Sequence, residues 1–215
     1  FVRQGFEHIY QREPTPVQLE ECIMFLHTAS NEPEQGPPPG AEDWSYGCGE
    51  VDPATGRVTT FTALPHFNGE AWQGGPNWPD KKLGWVQITA TGGHAGNDLQ
   101  HAAIRRWTAP RAMTVSITST ARHEVAAGDG IKCWIISSRQ GTLKSQVVHN
   151  TQAVLNIESL GVQPGETLDF VVDFHANLNS DQHLWAPVIQ ELESRKQWDA
   201  QLQFGSRPVA PLTPR

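Results

Sequence analysis

The residues 92–110, GGHAGNDLQHAAIRRWTAP, place two histidines, an aspartate, an asparagine, two arginines and a tryptophan close together. His94, Asp98 and His101 stand at H-x3-D-x2-H spacing, and imidazole with carboxylate is a donor set that suits zinc or another first-row metal. The surrounding residues argue for something else. Gly92, Gly93 and Gly96 surround His94 with positions that tolerate unusual backbone angles. Asp98 and Asn97 are side chains that cap backbone groups ahead of a strand. The stretch therefore reads first as a loop leading into the strand AAIRRWTAP, with His94, Asn97, Asp98 and Arg106 available to a ligand, and with metal binding as the alternative.

A second constellation is HFNGEAWQGGPNWPDKKLGW, residues 66–85. It carries Trp72 and Trp78 in a Gly/Pro-rich loop beside His66, Asn68, Asn77 and Asp80. Indole in a loop is costly to leave in water without a use. The apolar C–H face of a sugar ring stacks on indole, and its hydroxyls suit Asn, Asp, Arg and His. Trp72 and Trp78 are the expected stacking platforms, with His94, Asn97, Asp98, Arg106 and Arg122 as polar contacts. The competing reading has both rings plugging one end of the sandwich or packing on the helices. Trp107, Trp134 and Trp185 lie within or at the ends of strand patterns and are expected in the core or at an interface.

Acidic residues offer a third chemistry. Calcium takes six to eight hard oxygens. Glu50 and Asp52 open the β region and Asp181 closes it, so these three are the candidate ligands of a structural Ca2+, against the plainer reading as solvated turns. GDG, residues 128–130, reads as a hairpin turn. Glycoside hydrolysis needs two carboxylates roughly 5 to 9.5 Å apart, and spacing alone places no pair of Glu50, Glu70, Asp98, Glu124 and Asp173. There is no G-x-S-x-G elbow, P-loop or dinucleotide fingerprint. No catalytic residue is assigned, and the expected activity is binding without catalysis.

These side chains need a frame. From Trp44 onward the apolar residues recur with period two, in RVTTFTAL, WVQITA, MTVSITST, IKCWIIS, SQVVHN, VLNIESL and TLDFVVDF, separated by AAGDG, RQG and QPGE. Short strands at this spacing predict a mostly β fold, an antiparallel jelly-roll-like β-sandwich over 42–190. Before it, TPVQ at 15–18 is a helix start, with Thr15 as cap, Pro16 in the first turn and Gln18 completing a capping box. Residues 1–30 are read as two short helices, the first presenting Phe6, Ile9 and Tyr10, the second Val17, Cys22, Ile23, Phe25 and Leu26. They form part of a larger helical domain, because two such helices hold no core alone. Residues 31–41 are a Pro-rich linker. Residues 186–202 read as a short helix or an irregular return, within a return segment and Pro-rich tail over 191–215.

Composition narrows the partners. Among 215 residues, 19 glycines and 16 prolines mark a turn-rich chain, and 38% hydrophobic residues suffice for a core. The net charge of −7 and the lack of a Lys/Arg run exclude the usual nucleic-acid footprint. Arg105, Arg106 and Arg122 are the one start of a basic patch. No segment approaches the apolar length of a membrane span. The three cysteines, Cys22, Cys48 and Cys133, form no C-x-x-C-H, so no haem is held by this chain; Cys22 and Cys133 are expected to be buried.

The opening FVRQGFEHIYQREPTPVQLEECIMFL resembles a recurrent segment near the C-terminus of a large planctomycete surface-protein family of unknown function that accompanies c-type cytochrome domains. GGHAGNDLQHAAIRRWTAP, GDGIKCWIISSR and TLDFVVDFHANLNSDQHLWAPVI, in that order, resemble a β-domain inserted in that region, and PVAPLTP resembles the point where the helical part resumes. The resemblance covers nearly the whole chain. It implies an extracytoplasmic protein, periplasmic or at the cell surface, with polysaccharide and the other domains of the same protein as partners. Three functions follow as expectations: a non-catalytic carbohydrate-binding module, a docking or spacer domain, and a metal-assisted hydrolase.

Overall fold

A computed structural model describes residues 13–22 and 40–205. The chain divides into two compact units, 1–36 and 37–215. In the first, a helix begins at residue 16 and is described to 22. Its capping box closes as the sequence predicts: the Gln18 amide donates to Thr15 Oγ1 at 3.3 Å, and the Thr15 amide donates to Gln18 Oε1 at 3.1 Å. The expected first helix, the rest of the second, and almost all of the linker lie outside the described residues.

The second unit is mostly β, and every strand pairing in it is antiparallel. A six-stranded sheet runs Gly141–Val148, Ile131–Ser137, Thr167–Asp173, Ala102–Thr108, Trp44–Asp52, Arg57–Ala63. A seven-stranded sheet runs Thr151–Val154, Thr120–His123, Gln182–Leu184, Gly92–His94, Gln87–Thr89, Ala71–Gln73, His66–Phe67. A four-stranded sheet runs Ile157–Val162, Met113–Thr118, Val188–Glu191, Gln197–Asp199. One core joins the three: Trp44, Trp107 and Phe170 from the first meet Trp72, Ile88 and Ala121 from the second and Val115, Ile117, Ile189 and Trp198 from the third.

Alternation does the sorting. In Met113–Thr118, Val115 and Ile117 are buried while Thr114 and Thr118 face water. The central strands of the six-stranded sheet are buried on both faces, because Trp134, Ile104, Ile136 and Val171 form a second cluster with Val51, Val58 and Phe61 on the far side. Trp107, Trp134 and Trp185 are all buried, as expected. Cys48 and Cys133 are buried free thiols, and Cys22 is free and half-buried.

Two expectations are corrected. The return over 186–202 is neither helical nor irregular: Val188–Glu191 and Gln197–Asp199 form a hairpin whose inner strand pairs with Met113–Thr118. Trp198 fixes it, fully buried, with its indole N–H donating to Asp43 at 2.7 Å. The chain ahead of Trp44 passes this ring so closely that a Cβ on Gly40, at φ 91°, would lie 3.0 Å from the Trp198 ring and 2.7 Å from Gln203 Nε2. GDG is not a hairpin turn, since Thr120–His123 and Ile131–Ser137, which it joins, belong to different sheets. Gly128 and Gly130 both take positive φ, at 80° and 85°, to make that crossing.

Arg105 and Arg106, expected together in a basic patch, point to opposite faces of their strand. Arg106 forms a forked pair with buried Asp169, at 2.6 and 2.9 Å, under the Phe61 ring. Arg105 is buried in the core and donates to the carbonyls of Thr89 at 2.6 Å and Ala200 at 2.9 Å. Replacing Arg105 by Leu strands both carbonyls, and each orphaned buried acceptor costs about 1–3 kcal/mol. Urea denaturation of Arg105→Leu should show a loss of about 2–4 kcal/mol; a loss within 0.5 kcal/mol, the range of an ordinary surface change, would contradict this account.

Candidate functional site

The loop between Ala71–Gln73 and Gln87–Thr89 is held by its own polar groups. Asp80 Oδ1 accepts from the amides of Lys82 and Leu83, both at 2.9 Å, and these donors hold its carboxyl below the usual range. The Asp80 and Gly84 backbones exchange hydrogen bonds at 2.8 and 3.0 Å. This pinches the loop so that Trp78 Nε1 donates to the Trp85 carbonyl at 2.9 Å. Asn97 Oδ1 accepts from the Trp85 amide at 3.1 Å, tying the loop to the GGHAGN turn.

Trp78 and Trp85 meet edge to face, with ring centroids 4.9 Å apart and planes at 88°. Both remain more than a third exposed, at 39% and 37%, so each keeps ring surface for a ligand. His94 lies against both, its centroid 5.9 Å from Trp78 and 5.6 Å from Trp85. It can stand there because Gly92 and Gly93 pack against the His183 and Gln87 carbonyls where no side chain fits. His94 Nδ1–H donates to the Ala95 carbonyl at 2.7 Å, and burial lowers its pKa from the ordinary histidine value. Burial thus favours the neutral imidazole, in which Nδ1 carries the proton toward Ala95 and Nε2 is an acceptor.

Opposite the rings runs Leu178–Gln182. Together with Trp78, Trp85 and His94 it lines a cleft of about 450 Å³. Gln182 pairs with His94 across the sheet, so their side chains share a face. Leu184, two residues on, shares that face and pairs with Arg122, which pairs with Gln152. Arg122 and Gln152 line a second, open hollow of about 350 Å³ with Glu124, Asn150 and Thr151.

Of the expected ligand contacts, Trp78 and His94 therefore meet at the cleft, Asn97 braces it from behind through the Trp85 amide, and Arg122 lies on the same face two strands away. Three do not join them. Trp72 is 3% exposed, packed against Tyr46 and Phe67 with its indole N–H donating to the Gly205 carbonyl, so it has no face to offer. Arg106 is spent on Asp169 in the other sheet. Asp98 caps the turn Leu99–His101 through the Gln100 amide and binds His101 Nδ1 at 2.7 Å. The H-x3-D-x2-H spacing thus closes into a local cap, with His94 turned away to the tryptophans.

The expected calcium ligands do not assemble either. Asp52 caps the turn after its strand, accepting from the Ala54 amide and the Thr55 hydroxyl at 2.8 Å each. Glu50 lies in the six-stranded sheet opposite Thr60. Asp181 immediately precedes Gln182–Leu184 in the seven-stranded sheet, and its acidic neighbours are Asp129 and Asp173 instead. It is fully buried, and neither carboxylate oxygen has a hydrogen-bond partner. Burial and then Asp129 push it up to about 6, while the Asn179 amide offsets part of this without closing a well-formed hydrogen bond. Burial likewise carries Asp173 to about 6.

Sequence reading missed Trp85, Leu178 and Gln182. Trp85 carried a usable signal, since it lies in the same Gly/Pro-rich loop as Trp78. Leu178 and Gln182 carried none, because they reach the cleft only through strand pairing. No protein-family model and no curated protein matches this chain. No helix among the described residues is long and apolar enough to cross a membrane.

The His94 environment makes a pH prediction. A base whose pKa is lowered by folding takes its proton first in the unfolded chain, so it withdraws stability as pH falls through about 6.5. By NMR the His94 ring should titrate below that value. Acidification from pH 7 to 5 should cost wild type more stability than His94→Gln; equal losses in the two proteins would refute the assignment.

Proposed function

We propose that residues 42 to about 204 form a jelly-roll-like β-sandwich that binds carbohydrate without catalysis, as a module of a larger extracytoplasmic protein related to the planctomycete family it resembles. The observation that carries this reading is the fixed, perpendicular Trp78–Trp85 pair, half open to solvent beside the polar edge formed by His94 and Gln182. A pyranose presents an apolar face and a rim of hydroxyls; the indoles match the first, and the imidazole acceptor and carboxamide match the second. Pinning the rings in advance lowers the ordering cost that a weak, hydroxyl-rich ligand must meet.

The ligand is a chain of several sugars. Gly92–His94 and Thr151–Val154 stand three strand spacings apart in the seven-stranded sheet, or about 14 Å. Gln182, Arg122 and Gln152 present polar groups along that path. A single sugar fills only the tryptophan cleft.

Affinity electrophoresis through gels containing algal and bacterial polysaccharides tests the reading. Retardation by at least one polysaccharide is expected. Trp85→Ala and Trp78→Ala should each weaken it by about 2 kcal/mol, roughly thirtyfold. Leu202→Ala, an exposed apolar residue outside the cleft, should leave it unchanged. Normal migration of wild type through every gel would remove the carbohydrate reading and leave a docking or spacer domain.

A further inference from the structure

The wall of the cleft opposite the tryptophans ends in an unusual place. Asp181 is fully buried, yet both of its carboxylate oxygens lack a donor. Asp129 Oδ1 is buried and equally without a partner. Asp173 is the third acid in the group. The positive charge nearby is slight. His175 Nδ1 stands 3.4 Å from the other oxygen of Asp129, and Lys132 faces Asp173 with its ammonium 4.8 Å from the Trp134 ring centroid. His123 is occupied on both ring nitrogens, donating from Nε2 to the Ser180 carbonyl at 2.6 Å and accepting at Nδ1 from the Asn150 amide at 3.1 Å. A buried carboxylate normally has donors or a counter-ion, and leaving one without either is among the costliest arrangements in a protein interior.

We infer that Asp181 and Asp129 hold a hard divalent cation, best fitted by Ca2+, between the 126–130 loop and the 177–181 loop. The three unpartnered oxygens are acceptors only, which excludes a ligand that must be hydrogen-bonded by donors. Among the described residues no three Asp, Glu, His or Cys side chains close on one point. The side-chain share of the site is therefore two carboxylates, with loop carbonyls and water completing the six to eight oxygens that calcium takes in flexible geometry. Magnesium, which demands near-ideal octahedral geometry, fits such a loop site less well. The loops are already in contact, since Gly128 packs on the Asn179 carbonyl where a Cβ would clash. The cation would join the crossing between sheets to the Leu178–Gln182 wall. This inference stands whether or not the cleft binds carbohydrate.

The test uses the full chain, stripped with EDTA and titrated with CaCl2 at pH 7.5 by calorimetry and by thermal unfolding. One saturable site and a rise in Tm with Ca2+ are expected. Asp181→Asn should weaken Ca2+ binding at least tenfold, whereas Asp52→Asn, at the exposed turn, should bind as wild type does. Circular dichroism establishes that Asp181→Asn folds; if it does not, Asp129→Asn supplies the same comparison. No heat and no Tm shift up to millimolar Ca2+ would overturn the inference. So would a Tm shift that survives in Asp181→Asn and in Asp129→Asn.

Discussion

The buried guanidinium of Arg105 is the contact on which the three sheets depend. Its strand belongs to the six-stranded sheet, one of its nitrogens reaches the Thr89 carbonyl in the seven-stranded sheet, and another reaches the Ala200 carbonyl beside the four-stranded one. No carboxylate pairs with it among the described ion pairs; carbonyl oxygens take its N–H groups, and the Tyr46 and Phe204 rings lie 5.5 and 5.7 Å from it. Burial of a charge is tolerated only when its hydrogen-bonding capacity is met. The geometry of those carbonyls is therefore not free to drift. Tyr46 in turn packs on Trp72, and the Trp72 indole holds the Gly205 carbonyl, so the C-terminal segment is drawn into the same network.

That constraint reaches the cleft through short connections. Thr89 ends the strand that begins two residues after Trp85, so fixing Thr89 fixes the register of Gln87 and Ile88 against Gly93 and His94. Asn97 then sets the height of Trp85, and Trp85 sets Trp78. Each link is a single hydrogen bond or one pair of a ladder. Their effect is that two exposed indoles occupy one defined arrangement.

Much of the frame was legible because water imposes a period of two on a half-buried strand. Val115 and Ile117 against Thr114 and Thr118 needed no tertiary information. The 188–199 hairpin was not legible, since ELESRK is rich in helix formers. Pairing with Met113–Thr118 and burial of Trp198 override that local preference. Trp72 and Trp78 could not be told apart for a related reason. AWQ is a strand of three residues, too short to show a period, and its burial comes from Tyr46 and Phe67, distant in sequence or across a turn. Arg105 and Arg106 are a different case, because alternation along AAIRRWT already assigns them opposite faces. Neighbouring charges on one strand make no patch, because the strand turns them to opposite faces.

The two walls of the cleft differ in how well their polar groups are satisfied. On the tryptophan side, the Asp80 carboxyl, the Trp78 indole N–H and the Trp85 amide all have partners. On the opposite side, Asp181 and Asp129 carry orphaned oxygens, and His175 and Ser180 take left-handed backbone angles, with φ 60° and 68°, that non-glycine residues seldom adopt. Costs of this kind persist only where surrounding structure or a ligand over-determines them. These groups of the tryptophan wall find their partners within the protein. The Leu178–Gln182 wall lacks that closure, and an added positive charge at Asp181 is the change that would remove most of its unmet electrostatic demand at once.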